Sequence, residues 1–316
     1  MRKDSFATLA NNIFIKFPTR MWKREKVAFL EYCKMEFKNL GYNDSEITIR
    51  EDRNILGMKS KNLLVGSPDA DVLITAHYDT PGNNGFWMFG NPFWGMLGSS
   101  IFLFIFSFGL GRITAFFPHD FYNVVRILGI AIAILFVMLF FIKNPQNRND
   151  NTSGALGVFN TAARIAETPE LREKCAFVLF DHEEVMPGLL GSRAFAKWRN
   201  KNYPGKKDSK VINFDCIGNG DIVNVMAKRK HEDWHKMYDF IKSEGFNVIK
   251  TRGSIILGNS DHAPFRKGVS LLYLKRSLLG PIYIPRIHTG KDTVCDLDKI
   301  DQLCLSIYKY ICKISD

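Results

Sequence analysis

DVLITAHYD, residues 71–79, is a short apolar run that breaks abruptly into a histidine and an aspartate. With no polar face, VLITA reads as a strand buried on both sides, as strands of a parallel sheet are. The same grammar returns downstream in KCAFVLFDHEE (174–184) and KVINFDCIGNG (210–220), where an apolar run again ends in acidic residues. VSLLYLK (269–275) is a further buried strand, and EITIRE (46–51) and NLLVG (62–66) are shorter ones. Between them lie segments with apolar residues at helical spacing. These are Trp22–Leu40, stopped by Gly41, then SGALGVFNTAARIAE (153–167), GLLGSRAFAKWRN (188–200), HEDWHKMYDFIKSEGF (231–246) and DLDKIDQLCLSIYKYICKI (296–314), which Asp296 or Asp298 would cap. Strands alternating with helices predict a three-layer α/β/α domain around a central mixed, mostly parallel sheet.

The 316 residues suffice for one such domain plus an accessory piece. A hydrophobic content of 46% with 24% charged residues excludes a disordered chain. The net charge of +11 is spread without a long basic run or a nucleic-acid module, so no nucleic-acid partner is expected and anionic lipid is the better match. Six cysteines (Cys33, Cys175, Cys216, Cys295, Cys304, Cys312) show no CxxC spacing and read as free thiols of a reducing compartment. The N-terminal MRKDSFATLANNIFIKF has no sustained apolar core, and no secretory signal is expected.

One segment departs from this pattern. Residues 82–111 contain no charge, and Phe93–Leu110 is almost wholly apolar; a second apolar run, Ile127–Ile142, is flanked by Arg126 and Lys143. The first run meets the roughly 17–25 residues a spanning helix needs, and the second approaches it if the flanking cations snorkel. Buried core helices are the alternative, but the runs are apolar all the way round. The division expected is therefore residues 1–84 and 146–316 as one catalytic domain, interrupted by an inserted helical membrane hairpin at 85–145 that contacts lipid through residues 93–142. A hairpin returns the chain to its starting side, which predicts a two-helix protein of the cell membrane with a cytoplasmic catalytic domain. The spacing is silent on oligomeric state.

Acidic and imidazole groups recur where strands end, which is where α/β sheets build ligand sites. They are His77 and Asp79, Asp150, Glu183 with Glu184, Asp215, and His288 in RIHTGKDT. Singly, each has an ordinary structural explanation. Together they supply the nitrogen and carboxylate donors of a two-zinc site, which requires a bridging carboxylate and terminal ligands on either side.

The ordered series HYDT, NDNTSGA, HEE with GLLGS, FDCIG, SDHAPF and HTGKDT resembles that of the zinc aminopeptidase family, which includes carboxypeptidase-like members and the glutaminyl cyclases. The likeness spans Asn62 to Ile311 apart from the insertion. It implies that His77 and Asp215 hold one zinc, that Glu184 and His288 hold the other, and that Asp150 bridges them. It also implies that Asp79 orients the His77 imidazole and that Glu183 moves the proton from water to the leaving amine. The expected reaction is removal of N-terminal residues from peptides with a free amine. A one-zinc glutaminyl cyclase and a non-catalytic scaffold of the same fold are the alternatives.

Three departures stand out. VMPGLLGS makes a longer spacer after the glutamate pair, Ile287 occupies the place of an oxyanion-stabilising tyrosine (Tyr78 or Tyr283 are possible substitutes), and the Asp79–Asp150 gap holds the apolar insertion. Among the remaining histidines, His262 either approaches the substrate or supports its loop. His231 and His235 have the i,i+4 spacing of metal ligands on a helix that otherwise reads as solvated surface. His182 and His119 have no assignable role, and Lys206 and Lys207 read as surface charge.

Overall fold

The computed structural model describes residues 3–53, 57–82, 142–184, 188–253, 259–277 and 282–315, with the single positions 124, 127 and 131. The expected hairpin, His119 and residues 185–187 of the spacer after Glu184 thus lie outside the described residues, apart from those isolated positions and the end of the insertion. Among the described residues no helix is long and apolar enough to cross a membrane.

The strands are β1 (Ile47–Arg53), β2 (Lys59–Val65), β3 (Val72–His77), β4 (Cys175–Phe180), β5 (Lys210–Phe214), β6 (Ile222–Ala227), β7 (Val248–Arg252), β8 (Lys267–Arg276) and β9 (Ile282–Tyr283). They form one sheet in the order β1-β2-β4-β3-β5-β8-β6-β7, with β9 on β8. β4, β3, β5 and β8 run parallel at its centre and β6 pairs parallel with β7, whereas β1/β2, β2/β4, β6/β8 and β8/β9 are antiparallel. The sheet is mixed as expected, but parallel pairing is confined to its middle and one edge pair. The flanking segments were too polar or too short to reveal their direction.

The helices are α1 (Lys3–Lys16), α2 (Lys23–Asn39), α3 (Gly154–Ala166), α4 (Pro169–Lys174), α5 (Leu190–Asn202), α6 (Glu232–Ser243) and α7 (Leu297–Ser315). Strand alternation sorts the core into two faces. Val72, Ile74 and Ala76 of β3 join Cys175, Phe177 and Leu179 of β4 beneath residues of α1, α2, α3, α6 and α7. Leu73, Val178, Phe180 and Val211 pack instead with Phe195 and Trp198 of α5. Asp296 caps α7 by accepting from Lys299 N at 3.1 Å. All six cysteines are free.

The insertion is closed at its base. Gly82 and Lys143 form an antiparallel bridge, and Lys143 Nζ pairs with Glu25 of α2. Asn144, drawn from sequence inside the insertion, is buried and donates to the Asn147 side chain and the Thr289 carbonyl at 3.0 and 3.1 Å. Lys143 and Asn144 thus pack as part of the catalytic domain.

Candidate metal centre

Every predicted ligand sits just beyond the carboxyl end of a sheet strand or in a loop facing those ends. His77 ends β3, the turn 181–184 follows β4, and Asp215 follows β5. Asp150 lies in the irregular helical turn Arg148–Ser153 that leads into α3, and His288 lies in the loop after β9.

The NDNTSG segment folds as it does because its short polar side chains hydrogen-bond backbone across the site. Asn151 Nδ2 donates to the Phe214 carbonyl at 3.0 Å, while its Oδ1 accepts from Gly154 N and Cys216 N at 2.9 and 3.1 Å. Asn149 Oδ1 accepts from Gly218 N at 2.8 Å, and Ser153 Oγ accepts from Ile217 N at 2.9 Å. These bonds lock the Asp150 turn to the Asp215 loop. A Cβ on Gly154 would collide with the Asn151 side chain and the Phe214 carbonyl oxygen, so glycine is required there. His182, Cys216 and His288 hold left-handed φ values of 56°, 53° and 56°. Such conformations cost free energy for non-glycine residues and concentrate where side chains must be aimed.

The five predicted ligands converge. His77 Nε2 lies 3.5 Å from Asp150 Oδ1 and 3.9 Å from Asp215 Oδ1. His288 Nε2 lies 3.0 Å from Asp150 Oδ2 and 3.2 Å from Glu184 Oε2. Asp150 therefore stands between the imidazoles with one oxygen toward each. Donor atoms of His77, Asp150 and Glu184 lie within 4.8 Å of one another, and so do those of His77, Glu183 and Asp215.

The electrostatics fit a cation. Burial alone would depress the His77 imidazole, but Glu183, Asp215 and Asp79 hold it well above its ordinary value. His288 is likewise raised against burial by Glu184 and Asp150. Burial, reinforced by Glu184, Asp261 and Asp215, pushes the Glu183 carboxyl well up, though His77 opposes it. Burial also raises Glu184. Asp150 Oδ2 is buried and faces His288 Nε2 at 3.0 Å. Buried carboxylates need pairing or metal coordination, and a donor set of imidazole nitrogen and carboxylate oxygen suits zinc.

Asp79 faces His77, as the likeness implies, and has further partners. Its carboxylate is 3.6 Å from His77 Nδ1, which is nearer the Asp79 carbonyl at 3.2 Å. Its two oxygens also accept from Glu183 N and Glu184 N at 3.1 and 3.2 Å. Asp79 thus holds the turn that carries both glutamates, and its hold on the imidazole runs mainly through the main chain. Burial works against its ionisation, yet Lys26, aided by His77, keeps the carboxyl well below the usual range.

Other sequence candidates separate. Tyr78 OH donates to the Lys61 carbonyl at 3.0 Å and so serves the scaffold. Tyr283 lies in β9. His231 Nδ1 caps α6 by accepting from Trp234 N at 3.2 Å, and His235 Nδ1 meets Lys250 Nζ at 2.8 Å, so this pair builds no metal site among the described residues. His182 Nδ1 lies 2.9 Å from Ser60 Oγ. His262 is wholly buried, neither ring nitrogen has a hydrogen-bond partner among the described residues, and burial lowers its pKa to about 3.

Sequence reasoning assigned no role to three residues that adjoin the site. Asp292 accepts from Asn149 N and Asp150 N, the latter at 2.9 Å, and burial pushes it up to about 8. Asp261 is wholly buried with both oxygens unpartnered among the described residues, and burial pushes it up to about 7. Lys26 is the third. Asp292 and Asp261 sit inside HTGKDT and SDHAPF, so the motifs carried their signal; Lys26 sits in a helix whose charge pattern reads as surface.

The carboxylates and imidazoles at the strand ends of this α/β/α sheet make a candidate metal-binding site. The sequence model of peptidase family M28 matches residues 145–305, and the chain belongs to that family. A search of curated proteins by sequence finds no match. Solved structures share the fold. The Legionella pneumophila LapA aminopeptidase superposes over 100% of this chain and 72% of its own with a TM-score of 0.63 at 14% identity. A Zn-dependent exopeptidase from Parabacteroides distasonis covers 98% of this chain and 97% of its own, with a TM-score of 0.64 at 16% identity. The glutaminyl cyclase of Tannerella forsythia covers 98% of each chain, with a TM-score of 0.66 at 16% identity. At these identities the likeness speaks for the fold.

Proposed function

We propose that this peptidase is an aminopeptidase that uses two zinc ions, His77 with Asp215 and Glu184 with His288 holding one each and Asp150 bridging. The observation that carries the reading is Asp150, with its oxygens 3.5 and 3.0 Å from His77 and His288. Bound there, two zinc ions supply Lewis acidity for the scissile carbonyl and an acidified water. Glu183 takes the proton of the attacking water and returns it to the leaving amine, a task suited to a carboxyl raised by burial. A substrate's free α-amine can bind one of the zinc ions, which favours trimming from the N-terminus. Metal analysis of the purified chain, with a panel of aminoacyl and dipeptide substrates, tests the reading. About two zinc per chain and release of N-terminal residues are expected; a metal-free, inactive chain, such as a scaffold would give, defeats it.

Glutaminyl cyclisation is the second reading, supported by the fold this chain shares with the glutaminyl cyclase of Tannerella forsythia. One zinc per chain and pyroglutamate as product would select it.

The proposal also sets the active site against a membrane. Its support is the apolar sequence at Phe93–Leu110 and Ile127–Ile142, together with the Gly82–Lys143 bridge that brings the ends of that stretch together beside the ligand loops. Replacing residues 84–141 by a short loop should spare zinc binding and impair cleavage of membrane-associated peptides more than soluble ones. Equal loss on both removes the membrane from the account.

A further inference from the structure

We propose that Lys26 of α2 is a positioning residue that holds the turn 181–184, and with it Glu183 and Glu184, at the metal centre through Asp79 and Asp181. The inference rests on the reading of Glu183 as proton carrier and Glu184 as ligand. Lys26 lies in sequence outside the stretch matched to the family, and its side chain is 8% exposed. A lysine is rarely buried unless paired.

Its partners explain the burial. Nζ lies 2.6 Å from Asp181 Oδ1 and 3.8 Å from Asp79 Oδ2. Each carboxylate then reaches the turn. Asp79 accepts from Glu183 N and Glu184 N, and Asp181 accepts from His182 N at 2.9 Å through Oδ1 and from Lys61 N at 2.9 Å through Oδ2. From the other side, Leu190 N and Gly191 N donate to the His182 and Asp181 carbonyls, both at 3.0 Å. The turn therefore hangs between α5 and a cation–carboxylate bracket rooted in α2.

Without the ammonium, two buried carboxylates would face each other uncompensated. They would then move apart, since a broken buried pair leaves an unpaired charge. That displaces the acceptors that fix the Glu183 and Glu184 amides. Those residues carry the proton transfer and a metal ligand, so a loosened bracket lowers turnover rather than substrate binding.

The experiment compares Lys26→Met, Lys26→Arg and the double variant Lys26→Met/Asp181→Asn with the unsubstituted protein. Leu30→Val, a core change in the same helix, controls for stability. Three quantities are read: kcat and KM for a dipeptide substrate, zinc affinity by titration, and amide exchange at Glu183 and Glu184. Lys26→Met is expected to lower kcat by about tenfold to a hundredfold with KM nearly unchanged. It should also weaken the second zinc equivalent and speed exchange at both amides, with partial recovery in Lys26→Arg and no such pattern in Leu30→Val. Should Lys26→Met not fold, the charge-balanced double variant is read in its place. Unchanged kcat and exchange in the variant that folds, or an equal kcat loss in Leu30→Val, overturns the proposal. A wild-type chain that binds no zinc and cleaves no peptide defeats the functional reading instead, and the exchange measurement still judges the bracket.

Discussion

Two buried charge clusters lie back to back in this protein, and they balance their charge differently. At the strand ends, His77, Asp150, Glu184, Asp215 and His288 converge with an excess of acid over imidazole. Behind them, Asp79 and Asp181 meet Lys26, while the wholly buried Arg20 donates to the Tyr78 and Phe17 carbonyls and to Thr152 Oγ1. The second cluster is neutralised from within the chain; the first is left to be neutralised by something bound. That contrast separates a scaffold from a reaction centre.

The sharpest way to break the contrast is at Glu183. Glu183→Gln should cut kcat by about 10²- to 10⁴-fold while zinc content stays at the wild-type level; wild-type turnover in this variant would falsify its role. Next is the cation the front cluster lacks. Chelation should abolish activity and lower the melting temperature, and zinc at about 100 times its Kd should restore about 2.7 kcal/mol of stability. A melting curve indifferent to chelator would mean that the front cluster balances its own charge. Asp150→Asn should lose both zinc equivalents together, because its two oxygens face His77 and His288 at 3.5 and 3.0 Å; loss of one equivalent would assign the bridge elsewhere.

The rear cluster predicts a loss of stability instead. Arg20→Met strips donors from two carbonyls and a hydroxyl and should cost about 2–4 kcal/mol by denaturant unfolding. A loss under about 1 kcal/mol would show the guanidinium to be dispensable. The smallest effect belongs to Lys143→Ala. Its pair with Glu25 is half-exposed on the lysine side, so a change of about 0.2–1 kcal/mol is expected, and anything much larger would give the base of the insertion a structural weight the ion pair does not explain.

Part of the front cluster was readable from the sequence because His77, Glu184 and Asp215 end or follow apolar strands, and a strand's end is where polar groups emerge from a sheet. His77 and Asp215 needed only that rule. The pairing of Asp150 with two imidazoles needed the family likeness, since nothing local relates residue 150 to 288. The rear cluster was not readable. Lys26 lies in a helix rich in lysine and glutamate, where charge ordinarily faces water, and its burial goes with the two aspartates it meets, Asp79 and Asp181, distant in sequence. The same limit hid α1, whose FATLANNIFI pattern is weak next to its polar residues. It hid the edge strands as well: β7 has no fully buried residue, and its sequence VIKTR alternates without a clear core face.

The bridge between Gly82 and Lys143 has an engineering consequence. Antiparallel partners sit about 5 Å apart, so the catalytic body presents a socket whose two contacts are neighbours. A foreign module with adjacent termini, such as a fluorescent reporter or a binding domain, plugs in there without prying the hydrolase open, and a cargo carried at that port stands beside the reacting groups.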